Sequence, residues 1–146
     1  MFKNPSLTTR IAIGKLVGFV LGLSAFVFVP YFLPEARPMF IWGFFLWYII
    51  FGAVIGVFGV MTHIPILNLK MPWWFRGPYI GGWLNFAIAL FVYEDLSIMM
   101  SAMFGDNGVL ASPFWLVLEG CIVGLLIDYL ATRFGGEGAA TVAEYR

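Results

Sequence analysis

One uninterrupted apolar stretch constrains this chain more than any other feature. From Met39 to about His63 the sequence carries no charged residue, and an α-helix needs about 20 apolar residues to cross about 30 Å of hydrocarbon. Over the whole chain 62% of the residues are hydrophobic and 11% are charged, whereas soluble domains average about 45–50% and about 25%. These values exclude a soluble globular protein and make a lipid bilayer the expected environment.

Three further stretches are apolar enough to form membrane helices. The four predicted helices cover about 11–32, 39–63, 79–104 and 113–133. Glu94 and Asp95 interrupt the third stretch, so it is either short or carries acids inside the bilayer. The sequence therefore predicts an all-α protein with a single transmembrane domain over 1–146, a four-transmembrane-helix bundle. A short C-terminal tail is expected over 134–146.

The positions of Lys and Arg predict how the chain is oriented, because cytoplasmic segments hold an excess of both near helix ends. With both termini in the cytoplasm, only Arg37 of the eight basic residues lies outside. The others lie inside: Lys3, Arg10, Lys15, Lys70, Arg76, Arg133 and Arg146. We therefore expect a multi-pass integral membrane protein with both termini cytoplasmic. The connection over 64–77, rich in Pro and Trp, is expected at the headgroup level.

The sequence also resembles itself. A shift of 68 residues superposes one W-x4-G-x3-G pattern on another, and a shift of 67 superposes parts of helices one and three. The superposed positions are Trp47, Gly52 and Gly56 on Trp115, Gly120 and Gly124, and Ile13 and Gly14 on Ile80 and Gly81. A duplication predicts two tandem helical hairpins related by a pseudo-two-fold axis along the membrane normal. Chance identity in so apolar a sequence is the alternative.

Glycines recur every four residues within these helices. Membrane helices associate through the close packing that small residues permit, because lipid tails are as apolar as Leu. We therefore expect the stripes to be helix packing seams, whereas a groove that admits a substrate is the alternative. The stripes consist of Gly14, Gly18 and Gly22, of Gly52 and Gly56, and of Gly120 and Gly124.

Ionisable residues within the apolar stretches are candidates for function, because a charge in a bilayer is costly unless it is paired or hydrated. Lys15 and Asp128 lie at similar depth, and Asp128 continues the Gly120–Gly124 stripe by one turn. We expect an ion pair that clamps helix one to helix four. The alternative is that both side chains extend separately to the cytoplasmic interface.

Glu119 lies nearer the membrane midplane, on the opposite face of its helix from Asp128. One interpretation places it in an acidic cluster with Glu94 and Asp95, which would hold a proton or a cation. In a second interpretation Glu94 and Asp95 end helix three at the outer interface, and Glu119 is neutral or hydrogen-bonded within the bundle. A third has Glu119 contact another subunit. Asn85 could hydrogen-bond across helices.

Most other chemistries find no support in the sequence. It contains no P-loop, G-x-S-x-G, H-E-x-x-H or C-x-x-C pattern, so we do not expect an enzyme. His63 and Cys121 are the single residues of their types, so no metal site is predicted, and no cofactor is indicated. Eight basic residues balance eight acidic ones, which leaves no basic surplus for nucleic acid.

Two function classes remain open. In the first, the chain is an accessory subunit that packs into a larger membrane assembly, with lipid and other membrane subunits as partners; a homo-oligomer is instead expected in the second. In the second, it is a small oligomeric transporter or channel for protons or cations that uses intramembrane carboxylates. A four-helix unit is narrow for an internal path, so the second reading requires an oligomer.

Overall fold

The computed structural model describes residues 5–64, 66, 68–106 and 108–145, with the backbone alone for 144 and 145. Lys3 and Arg146, two of the basic residues counted above, lie outside the described residues. Within them the chain forms five α-helices, a two-stranded antiparallel ribbon and two short 3-10 helices, over Val109–Ala111 and Ala139–Tyr145. In chain order the main elements are α1 (Leu7–Phe32), α2 (Pro38–Phe58), β1 (His63–Ile64), β2 (Leu69–Lys70), α3 (Trp73–Phe91), α4 (Tyr93–Phe104) and α5 (Trp115–Gly135).

The all-α fold predicted from the sequence is confirmed. Among the described residues, α1, α2 and α5 are each long and apolar enough to cross a membrane. The segment predicted as one third helix is instead broken, because α3 and α4 meet at a bend of 97°. Counting this bent pair as one span gives up to four spans.

Helix α2 is shorter than predicted, because apolarity alone does not mark where a helix ends. It stops at Phe58, and the N–H of Gly59 bonds back to the carbonyls of Gly56 and Val57. His63, predicted as the last helical residue, instead pairs with Lys70 in the ribbon. The ribbon turns the chain back toward α3, which begins at Trp73.

The helices associate as two pairs, α1 with α2 and α3 with α5. In the first pair a Cβ built on Gly14 would overlap the carbonyl oxygen of Gly52, and in the second a Cβ on Gly81 would overlap that of Gly120. The repeat superposes these same positions, Gly14 on Gly81 and Gly52 on Gly120. One turn away, the backbone of Arg10 lies against Gly56 in the first pair.

The second pair repeats that contact, since the backbone of Gly77 lies against Gly124. Positions 77 and 124 are those on which the repeat superposes 10 and 56. The two helix pairs therefore cross in one common register, as the internal repeat predicts.

Both described ends of the chain lie at one end of the bundle, which we call the terminal end. The N–H of Ser6 donates to the carbonyl of Gly135 at 2.9 Å. The segment after α5 folds back over this end, where the N–H of Gly138 donates to the carbonyl of Gly59 and Thr141 is buried. Between the two ends, α3 packs mainly against α5 and also contacts α2.

Candidate functional site

A buried charged group, which we call the Asp128 cluster, holds the terminal end together. It consists of Arg10 of α1, Arg76 of α3, Asp128 and Thr132 of α5, and Glu137. Both guanidinium groups and the Asp128 carboxylate are 0% exposed. Arg10 Nη2 donates to Asp128 Oδ1 at 2.6 Å, and Arg76 donates to both carboxylate oxygens, from Nε at 2.8 Å and Nη2 at 2.9 Å. One carboxylate thus joins α1, α3 and α5.

The other N–H groups of the two arginines also have partners. They donate to carbonyl oxygens that lie near helix ends and to polar side chains. The acceptors of Arg10 are Gly56 O at 3.0 Å, Thr132 Oγ1 at 3.0 Å and Gly136 O, and those of Arg76 are Met61 O at 3.3 Å, Met71 O at 3.2 Å and Glu137 Oε2 at 3.2 Å. Two cations and two anions balance one another within the cluster.

The predicted ion pair between Lys15 and Asp128 does not form, which corrects the sequence-based expectation. Lys15 is exposed, and Asp128 pairs with Arg10 and Arg76 instead. Matching depth along the helices is not sufficient, because direction around the helix axis also decides which residues meet. Lys15 is one residue beyond Gly14 and is therefore rotated by about 100° from the packed face, whereas Arg10 lies one turn before Gly14 on that face.

Glycines give the cluster its space. A Cβ built on Gly59 would overlap the guanidinium of Arg10, and a Cβ on Gly135 would lie 2.7 Å from Arg10 Cγ. A Cβ on Gly77 would lie 3.0 Å from the Asp128 Cβ. Arg10 therefore fits in the cluster only because Gly59 and Gly135 have no side chains.

A second polar group, the Glu119 network, lies between α2, α3 and α5. It consists of Trp47, Tyr48, Asn85 and Glu119. The Tyr48 hydroxyl donates to Glu119 Oε1 at 2.8 Å, and Asn85 Nδ2 donates to Glu119 Oε2 at 2.8 Å. Asn85 Nδ2 also donates to the carbonyl of Leu116, and Trp47 Nε1 donates to Asn85 Oδ1, each at 3.0 Å. The network ties the two helix pairs to each other.

The structure does not bring Glu119 together with Glu94 and Asp95, so the acidic cluster, one of the three interpretations of the sequence, is absent from the described residues. Asp95 instead accepts from Arg37 at 2.6 Å, near the end of the bundle opposite the terminal end, and Glu94 is exposed. Both acids lie in the first turn of α4, where the positive end of the helix dipole stabilises a carboxylate.

One common signal marks four of these polar residues. Each lies four residues before or after a glycine that packs against a neighbouring helix. Arg10 precedes Gly14, Tyr48 precedes Gly52, Asn85 follows Gly81, and Asp128 follows Gly124. Only Asp128 was predicted from this relation, and Arg10 and Tyr48 were not predicted as site residues. Thr132 continues the Gly120–Gly124–Asp128 stripe by one more turn, whereas Arg76, Trp47 and Glu137 lie off the stripes, and the spacing does not reveal them.

A cavity of about 420 Å³ lies beside the Glu119 network, between α1, α2, α4 and α5. We call it the α4 cavity. Its walls are aromatic and aliphatic side chains together with the methionines of α4, and Tyr48 and Glu119 lie at its edge. The lining includes Phe28, Phe32, Phe44, Met99, Met103 and Trp115.

Comparisons of this chain with protein families, characterised proteins and solved structures find no significant match.

Proposed function

We propose that this protein is a non-enzymatic packing subunit of a larger membrane assembly, with both termini on the cytoplasmic side. The interior of the bundle supports a static role. In the described part of the chain, every buried side-chain N or O atom has a hydrogen-bond partner. The Asp128 cluster and the Glu119 network each join at least three helices, so a rocking motion of one helix pair against the other would break several hydrogen bonds.

The observation that carries the proposal is a row of aromatic side chains along the outer face of α3. Neighbouring rings touch in sequence, with centroids 5.7 Å apart for Phe75 and Tyr79, 6.5 Å for Tyr79 and Trp83, and 5.9 Å for Trp83 and Phe86. The row continues onto Phe114 at the start of α5, 6.0 Å from Phe86. We call these five residues the aromatic row.

The aromatic row has the properties of a contact surface. Its rings are held by one another yet remain exposed, Tyr79 by 49% and Trp83 by 59%. Rigid aromatic side chains supply large contact areas at a small entropic cost, and they are enriched in protein interfaces. A groove lies beside Tyr79 and Trp83, with Cys121 also in its lining. A partner helix can pack into this groove.

Native mass measurement after extraction in a mild detergent tests this proposal. We expect a stoichiometric complex with a different membrane protein, and we expect the double substitution of Tyr79→Leu and Trp83→Leu to remove the partner. Trp42→Leu is the matched control, because Trp42 is 53% exposed but lies on α2, away from the row. A monomer, a homo-oligomer, or equal loss of the partner in the control would contradict the proposal.

A second function, an oligomeric transporter or channel for protons or cations, is favoured by one observation. Glu119 is a carboxylate at the edge of a cavity in the apolar part of the bundle, and such residues often mark ion paths. Flux into reconstituted vesicles tests this function. Flux that Glu119→Gln abolishes would support it, whereas no flux in the wild type would remove it.

A further inference from the structure

The α4 cavity has the size and walls of a binding site for a small hydrophobic molecule. Its volume of about 420 Å³ lies within the usual range for ligand pockets, about 300–1,000 Å³. One wall is formed by methionines of α4, Met99, Met100 and Met103, whose flexible side chains adapt to differently shaped apolar ligands. The facing walls combine aliphatic side chains with five aromatic ones, Phe28, Phe32, Phe44, Tyr48 and Trp115.

The polar edge of the cavity can accept hydrogen bonds but has no donor to spare. The Tyr48 hydroxyl is committed to Glu119, and both N–H groups of Asn85 are committed to Glu119 and the Leu116 carbonyl. The indole N–H of Trp47 is committed to Asn85. A carboxylate offers about four lone-pair sites, and these contacts use one on each oxygen of Glu119. The unused capacity therefore suits a ligand that donates.

Charge points to the same class of ligand. Asp128 is paired with two guanidinium groups, whereas no Lys, Arg or His in the described ranges forms a salt bridge with Glu119. An unpaired carboxylate in apolar surroundings gains from a cationic partner. Aromatic faces also attract cations and are the usual walls of sites that recognise quaternary ammonium groups.

We propose that the α4 cavity binds a lipophilic ammonium ion, with its nitrogen beside the Glu119 carboxylate and its apolar body among the aromatic and methionine side chains. A ligand that carries only acceptors finds no free donor here, and an anion is repelled by Glu119. This binding site is independent of the aromatic row, which lies on the outer face of α3. It can therefore exist whether or not the chain is a subunit of a larger assembly.

Photoaffinity labelling of the intact protein in phosphatidylcholine nanodiscs tests the proposal. The probe is an alkyldimethylammonium, a protonated tertiary amine whose N–H can donate, that bears a diazirine on its chain, and the matched probe ends in an uncharged isopropyl group. In mildly alkaline buffer we expect cross-links to the charged probe on Met99, Met100 or Phe28. A hydrogen bond or contact to a charged group predicts a preference for the charged probe of about tenfold or more in apparent affinity.

Three variants separate the carboxylate from the cavity. Glu119→Gln should remove the preference for the charged probe while leaving the uncharged probe unchanged. Glu94→Gln is the control, because Glu94 is exposed outside the cavity, and it should behave as the wild type. Ala25→Leu, which fills space within the cavity lining, should reduce labelling by both probes.

The wild type alone can overturn the proposal, so the test does not depend on whether Glu119→Gln folds. Equal affinity for the charged and uncharged probes in the wild type would refute the role of charge. Cross-links spread over residues of α1 and α2 that do not line the cavity would refute the cavity as the site. Undiminished binding of the charged probe to Glu119→Gln would refute the role of that carboxylate.

Discussion

Asp128→Asn tests whether the buried cluster holds the bundle together. The substitution keeps the size of the side chain but removes the negative charge that two buried guanidinium groups share. Arg76 would lose one of its two hydrogen bonds to this side chain, because the amide NH2 that replaces one oxygen is itself a donor. Arg10 and Arg76 would then both be left buried without a charged partner, apart from the partly exposed Glu137.

The size of the effect follows from these contacts. Asp128 accepts three hydrogen bonds from guanidinium groups, at 2.6, 2.8 and 2.9 Å, and a bond to a charged group contributes about 1.5–3 kcal/mol. Removing one partner of a buried ion pair costs about 3–5 kcal/mol. We therefore expect Asp128→Asn to lower the free energy of unfolding by about 3–5 kcal/mol. The loss is smaller than the sum of three hydrogen bonds, because the substitution also removes the cost of burying a carboxylate. Total stability is typically about 5–15 kcal/mol.

The free energy of unfolding is measured by titrating a denaturing detergent into the protein in mild-detergent micelles. Asp95→Asn is the matched control, because its partner Arg37 has a side chain that is 75% exposed, and such a pair contributes at most about 1 kcal/mol. If Asp128→Asn does not fold, Thr132→Val replaces it. That change removes one acceptor of Arg10 and should cost about 1 kcal/mol. A loss from Asp128→Asn no larger than that from Asp95→Asn would refute the reasoning.

Two further predictions concern how the helices pack. Gly18→Leu should destabilise the bundle by about 1–3 kcal/mol, because even a Cβ at Gly18 would overlap the Tyr48 carbonyl. Gly43→Leu is the control and should cost little, because a Cβ at Gly43 meets nothing within 4 Å. Equal effects of the two substitutions on the free energy of unfolding would show that the Gly18 contact is absent. In double-mutant cycles with Leu, Arg10 should show a clear coupling energy with Asp128, whereas Lys15 should show none; the reverse result would restore the pair predicted from the sequence.

The helices could be predicted from the sequence because a membrane-spanning helix must be apolar along its whole length. The internal repeat could be recognised because its matched positions include Gly14 and Gly81. Each of them lies at a helix contact that has no room for a side chain. The bend between α3 and α4 was not predicted, because Val92 at the break is apolar like its neighbours. Only Glu94 and Asp95 hinted that the third stretch was interrupted.

The candidate sites were harder to predict, because they depend on which faces of different helices meet. Asp128 and Glu119 stood out as acids in apolar surroundings, and Asn85 as a residue able to hydrogen-bond across helices, but their other partners did not. In the sequence, Arg10 has the position of an ordinary basic residue near a helix end. In the structure it is 0% exposed. Tyr48 carries no charge, so nothing distinguished it from the other aromatic residues. Their spacing from packed glycines is the signal that would have found both.

The sidedness of three surface positions tests the membrane-spanning bundle most directly. In a Cys121→Ser background, single cysteines replace Asn68 in the connection between α2 and α3, Asp106 after α4, and Ala140 near the C-terminus, all of them exposed. Each is then treated in intact cells with a maleimide that does not cross membranes. We predict labelling of position 106 from outside, and labelling of 68 and 140 only after permeabilisation. Positions 68 and 140 on opposite sides of the membrane would contradict the four-crossing bundle.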